Sequence, residues 1–180
     1  MTSRKLVPAE RMVDAFDRAA TMSFSVVASV RGPLERAQLL SSLRQLEQRH
    51  PLLLVRIVRE GETVRFDPHG ATAIPLQELA PQAFEAAVAS SLDHHVWPDE
   101  GPRAVLSWAR DGERSQLLFR FHHVISDGSA GVVAMRDLLQ GLHAPTLARI
   151  ESPGQDAFFP AGHGGLRDKL RTGWMLARSA

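Results

Sequence analysis

The sequence predicts a mixed-sheet α/β sandwich. Helical and strand periodicities alternate along the chain, two glycine-centred turns join neighbouring strands as hairpins, and 180 residues that are 44% hydrophobic suffice to bury one core. Hairpins impose antiparallel neighbours, so the sheet is expected to be mixed and not purely parallel.

The elements follow in order. The first helix is expected over 8–20, opened by Pro8, and the first strand over 23–30, ended by the turn Arg31-Gly32. Pro33 opens a second helix in which Leu39, Leu43, Leu46 and His50 recur at helical spacing, placing His50 on the inner stripe and Arg49 at its edge. Strands over 53–59 and 63–66 are joined at Glu60-Gly61-Glu62, and a third helix spans 81–94. Strands over 104–110 and 115–122 form a hairpin through Asp111-Gly112. The last helix carries Met135, Leu138, Leu139 and Leu142, with Asp127-Gly128-Ser129 as its turn and cap.

Residues 1–145 therefore read as one domain, and 146–180 as something else. Ser152-Pro153-Gly154 and the stretch 158–165 have linker composition, and 166–178 is a short basic amphipathic segment with Trp174, Met175 and Leu176. It holds four basic residues, so a helix that returns to its own lobe or bridges to a further one is preferred to membrane contact.

Composition excludes several function classes. With 21 basic against 20 acidic residues the net charge is +1, which argues against a nucleic-acid binder. Without cysteine there is no disulfide or thiol chemistry, which suits the cytoplasm. The first ten residues lack the apolar centre of a signal peptide, and no apolar run is long enough to span a bilayer. Neither GxGxxG nor GxxxxGK[ST] occurs, so no tightly held nucleotide cofactor is expected.

The chemistry concentrates in His122-His123-Val124-Ile125-Ser126-Asp127-Gly128, where a run of strand character meets the last helix. At this chain's own residue frequencies its four fixed letters arise by chance on the order of once in a thousand chains of this length. Side chains alternate along a strand, so His123 shares a face with Leu117, Phe119 and Phe121, and His122 shares the other with Arg120. Histidines on opposite faces do not close on one ion, and no cysteine completes a zinc set, so no metal is assigned. Ser129 lacks the glycine two residues before it that a nucleophile elbow requires. Two readings remain: structural histidines capping a strand, or a general base, since a neutral imidazole can take a proton from a hydroxyl or amine near neutral pH. The general base is the better assignment.

His95 and Asp99 repeat the His-x-x-x-Asp spacing, but they follow a helix and Pro98 interrupts them, so they read as a helix end. His69, His143 and His163 sit in Gly/Pro-rich turns and receive no role.

His122-His123-x-x-x-Asp127-Gly128 resembles the core motif of the chloramphenicol acetyltransferase-like superfamily, which includes nonribosomal peptide synthetase condensation domains, polyketide-associated acyltransferases and wax-ester synthases. Two further segments match in the family's order: Arg49-His50-Pro51 before an apolar run, and Gly101-Pro102-Arg103 before a strand. The resemblance implies that His123 is the catalytic base and His122 is supporting. It also implies that Gly128 keeps the substrate channel open and that Asp127 is a structural carboxylate paired with an arginine, expected to be Arg49. The donor would be an acyl-CoA or a phosphopantetheinyl acyl carrier protein. Peptide-forming members often carry arginine where Leu54 stands here, so an ester product is favoured over an amide. Members have two similar lobes around a channel and are about twice this length. The resemblance therefore implies one lobe, residues 1–145, whose partner is a C-terminal lobe supplied elsewhere. A non-catalytic binding or assembly module that keeps the fold is the alternative.

Overall fold

The computed structural model describes residues 3–17, 19–93, 97–98, 101–143 and 146–150. Its elements are β1 (Arg4–Lys5), α1 (Pro8–Phe16), β2 (Ser23–Arg31), α2 (Arg36–Arg49), β3 (Arg56–Glu60), β4 (Thr63–Asp67), β5 (Leu76–Leu79), α3 (Phe84–Ser90), β6 (Ala104–Asp111), β7 (Arg114–His122) and α4 (Gly128–Gly141). They form two sheets, of order β1-β4-β3 and β2-β7-β6-β5. Every pairing is antiparallel except β5 with β6, so the larger sheet is mixed, as the hairpins predict.

Apolar alternation builds the sandwich. Leu117, Phe119 and Phe121 of β7, with Leu106 and Trp108 of β6, join Leu39, Leu43 and Leu46 of α2 and Ala134, Met135 and Leu138 of α4 in the main core. Leu118 belongs to a second cluster, with Ala109 and with Phe84 of α3. Odd and even residues of β7 thus meet different helices, which is the period-two pattern of a strand covered on both faces. Glycine is demanded where α2 and α4 approach: a Cβ at Gly141 would lie 2.6 Å from the Ser42 hydroxyl. That hydroxyl donates to the Leu138 carbonyl, stitching the two helices.

Several boundaries differ from the sequence expectation, each through a specific contact. The first helix ends at Phe16, because Ala19 and Ala20 both donate to the Phe16 carbonyl and the chain turns toward β2. The second begins at Arg36, since Gly32 bonds to Glu113 and Leu34 to the Ser115 hydroxyl, which commits Pro33 to the connection. Pro51–Leu53 and Pro81–Ala83 are short 3₁₀ turns, which delay β3 and shorten the third helix to Phe84–Ser90. β1 and β5, of two and four residues, are too short to show a period and exist through their pairing with β4 and β6. The linker at 152–165 and the amphipathic segment 166–178 lie outside the described residues.

Leu138 is fully buried where α4 meets both α2 and the sheet. Leu138→Ala is expected to lower the unfolding free energy by about 2–5 kcal/mol. The measurement is a urea titration, with the midpoint displaced and the slope unchanged.

Candidate functional site

β7 is paired with β2 to its last residue and with β6 as far as Phe121, and the two histidines stand at that end. The His122 N–H donates to the Arg103 carbonyl at 2.9 Å and the His123 N–H to the Met22 carbonyl at 2.8 Å. The chain then turns, with Ile125 N–H donating to the His122 carbonyl at 3.1 Å, and enters α4. The rings diverge as alternation requires. His122 meets the edge of Trp97, whose ring also lies under the Arg120 guanidinium. His123 lies over Phe24, with ring centroids 4.7 Å apart, and Phe24 in turn stacks on Phe121.

His122 is buried, at 1% exposure, and its protonation is dictated by its neighbours. The Val124 N–H donates to Nδ1 at 2.9 Å, so Nδ1 carries no proton and a neutral ring must carry it on Nε2. Nε2 faces the Asp17 carboxylate at 3.3 Å. Burial depresses the His122 pKa below 6.5; Asp17 opposes that shift, and the charge of Arg103 adds to it. The ring is therefore kept neutral.

His123 is the converse: it is exposed, and among the described residues neither ring nitrogen has a hydrogen-bond partner. It lines a cleft of about 470 Å³ with Arg4, Ala9, Glu10 and Val13 on one side, and Leu52, the turn 124–127 and Ala130 around the rest. Arg4 and Glu10 are locked to each other by two hydrogen bonds of 2.8 and 2.7 Å, and Glu10 also accepts the Val7 N–H that opens α1. Phe24, which sequence reasoning missed, forms the shelf beneath His123. Its slot exists because residue 131 is glycine: a Cβ there would sit 2.5 Å from the Phe24 ring. At Gly128 a Cβ would meet nothing within 4 Å, and φ there is not positive, so neither packing nor backbone conformation demands this glycine.

Asp127 is the N-cap of α4, its Oδ1 accepting the Ala130 N–H at 2.7 Å, as the turn-and-cap reading anticipates. The expected pair with Arg49 does not form. Arg49 instead donates from Nε to Oδ2 of Asp137 at 2.6 Å, His50 donates to the same oxygen at 2.8 Å, and Arg136 holds Oδ1 at 2.9 Å. The physical reason is the offset of the two helices. Ser42, midway along α2, already lies beside Leu138 and Gly141 at the end of α4, so the end of α2 reaches Asp137, one turn before the end of α4, and not its start. Burial pushes the Asp137 carboxyl up, but the hydrogen bonds from Arg49, His50 and Arg136 outweigh it and the pKa is lowered. Arg49 also donates to the Ala148 carbonyl, and its own carbonyl accepts the Ile150 N–H, so it anchors the chain leaving α4 and does not line the cleft. Asp137 carried a sequence signal: it falls on the stripe of Ala134, Leu138 and Gly141, where a carboxylate requires a cation.

His69 and His143 lie away from this cleft. His95, Asp99 and His163 are outside the described residues. Among the described residues no three of His, Asp and Glu gather as metal ligands, and no helix is long and apolar enough to cross a membrane.

No protein-family model and no curated protein matches this sequence. Solved structures match its fold. The starter condensation domain of the rhizomide synthetase RzmA superimposes with a TM-score of 0.69 at 17% identity, over 88% of this chain and 42% of its own. The X-domain from teicoplanin biosynthesis gives 0.72 at 17%, over 94% and 42%. The SgcC5 protein of Streptomyces globisporus gives 0.69 at 20%, over 97% and 46%. A form of the RzmA domain has been solved with C8-CoA and Leu-SNAC bound. At these identities the likeness is one of fold. The chain has the architecture of one condensation-domain lobe and spans less than half the length of the structures it matches.

Three stability measurements check this geometry. Removing the buried Asp137 carboxylate, as Asp137→Ala, should cost roughly 3–5 kcal/mol, and a double-mutant cycle with Arg49 should reveal coupling. Asp127→Ala should cost about 1 kcal/mol, the value of an N-cap, with no coupling to Arg49. Because the folded pKa of His122 lies below 6.5, its contribution to stability is complete above pH 6.5. It is lost as the pH falls below that value, where the unfolded chain gains a proton that the folded ring resists. Denaturant unfolding against pH should show this slope, and His122→Asn should flatten it.

Proposed function

We propose that this chain is the histidine-bearing lobe of a condensation-type acyltransferase, with His123 as its general base. The observation that carries this reading is the contrast within one dipeptide: one imidazole buried and held neutral, the next exposed on an aromatic shelf at a cleft, with both nitrogens available. A neutral His123 takes the proton of an acceptor hydroxyl or amine as its oxygen or nitrogen attacks the carbonyl carbon of an acyl thioester. The tetrahedral intermediate collapses with cleavage of the C–S bond. The imidazolium returns the proton to the departing sulfur, leaving an ester or amide and a free thiol. An acyl-CoA, the kind of molecule bound to the RzmA domain, or an acyl chain on a carrier protein fits as donor, with no resident cofactor. Leu54, in the position where peptide-forming relatives often carry arginine, favours an alcohol acceptor and an ester.

The other residues act in support. Asp127 caps α4 and holds the turn that presents His123, His122 anchors the strand end, and Gly128 leaves space beside the cleft. The partner is a second lobe that would close the channel from the opposite side. In favour of that partner, β2 is an edge strand of nine residues without proline or lysine, an edge that soluble proteins normally cover. Beside it runs an apolar groove between β2 and α4, where Val27 and Val132 are half exposed. Met12 and Phe16, one turn apart on α1, form a second exposed apolar patch.

In the two-lobed enzyme, His123→Ala is expected to lower turnover by about a hundredfold or more with the melting curve unchanged. Thiol release from acyl-CoA donors in the presence of alcohol or amine acceptors is the assay. Near-normal turnover would refute the base assignment. A wild-type enzyme that binds thioesters and transfers nothing would leave the binding-module reading in its place.

A further inference from the structure

We infer that Asp17 is a positioning residue of this site: its carboxylate bridges the His122 ring and the Met22 peptide, and so sets from the end of α1 where the His123 imidazole stands. The inference rests on His123 acting as the base. Oδ2 faces Nε2 of His122 at 3.3 Å, and Oδ1 accepts the Met22 N–H at 3.4 Å. The same Met22 residue accepts the His123 N–H through its carbonyl at 2.8 Å. One carboxylate therefore touches both supports of His123, the residue before it in the chain and Met22, the residue just ahead of β2 to which its backbone is bonded.

Two observations indicate that Asp17 serves this purpose and not helix α1. A carboxylate at a helix C-terminus opposes the helix dipole, which favours cations there, and the last turn of α1 carries no basic residue. Local helix chemistry therefore does not account for it. Conversely, His122 needs an acceptor in that position. With Nδ1 committed to the Val124 N–H, the ring proton sits on Nε2 in a site 1% exposed, where an unmet N–H would be costly. Among the described residues the charged groups acting on His122 are Asp17, Arg103 and Asp14, and Asp14 is itself engaged by Arg59 at 2.7 Å. Of these, Asp17 is the carboxylate that stands at the Nε2 face, at 3.3 Å. The logic is that of an acid fixing a histidine tautomer, applied here to the residue before the base instead of to the base.

The test uses Asp17→Asn, which preserves shape but turns one carboxylate oxygen into a donor. Both groups facing Asp17 are N–H donors, so either orientation of the amide opposes one of them. In the two-lobed enzyme the expected result is a fall in kcat of about tenfold to a hundredfold, the scale of a small misplacement of a reacting group, with KM for the thioester unchanged. Asp17→Glu should recover part of it. Long-range ¹H–¹⁵N spectra of the imidazoles in the 180-residue chain supply a readout independent of turnover. Wild type should show His122 as the neutral Nε2–H tautomer at pH 7, and Asp17→Asn should mix the tautomers and shift the His123 ring signals. A wild-type His122 that is charged, or protonated on Nδ1, would overturn the inference even if the variant fails to fold. So would an Asp17→Asn chain whose His123 signals match wild type. If His123→Ala retains turnover, the base assignment falls by itself, and the spectra still decide whether Asp17 holds the pair.

Discussion

The pairing of β7 with β2 along its whole length, and with β6 as far as Phe121 on the other side, is the constraint from which the site follows. A strand held on both edges cannot rotate, so alternation extends without slippage to its last residue. Leu117, Phe119 and Phe121 enter the main core, and Leu118 faces the second cluster. The register that buries these side chains obliges His122 and His123 to part. Burial of the first ring and exposure of the second are thus two consequences of one hydrogen-bond ladder.

The burial of His122 is useful because it is complete. A ring with one nitrogen bonded to a backbone N–H and the other facing a carboxylate has one tautomer and no room to turn. The peptide that follows is equally fixed, by Met22 just ahead of β2. His123 therefore projects from a rigid base while its own nitrogens stay available, the combination proton transfer needs. Phe24 completes the arrangement from the side, and Gly131 gives it room, so a helix residue with no polar group contributes to where the imidazole lies.

Charge is used twice on α4, for different ends. Asp127 at the first turn satisfies a backbone donor that the helix leaves unpaired. Asp137, three turns nearer the other end, is fully buried and gathers Arg49, His50 and Arg136. That cluster joins the end of α2 to α4 and reaches the backbone of residues 148–150. It thereby ties the segment that follows α4 to the same helix whose start frames the cleft.

What the sequence determined by itself was whatever depends on near neighbours along the chain. Apolar periods marked the long helices and the central strands, Gly61 and Gly112 marked the hairpins at positive φ, and the step from His122 to His123 implied opposite faces. Asp127 was legible as a cap because its partner is three residues away. Tertiary structure alone decided the rest. Asp127 and Asp137 both lie along α4, and the offset at which α2 packs on α4 pairs Arg49 with Asp137 and not with Asp127. Asp17 meets His122, and Phe24 meets His123, across about a hundred residues of chain, because β2 lies beside β7. β1 and β5 are strands only because β4 and β6 offer them an edge. In each case the deciding energy is a contact between elements distant in sequence, and a periodicity read along one element carries no term for it.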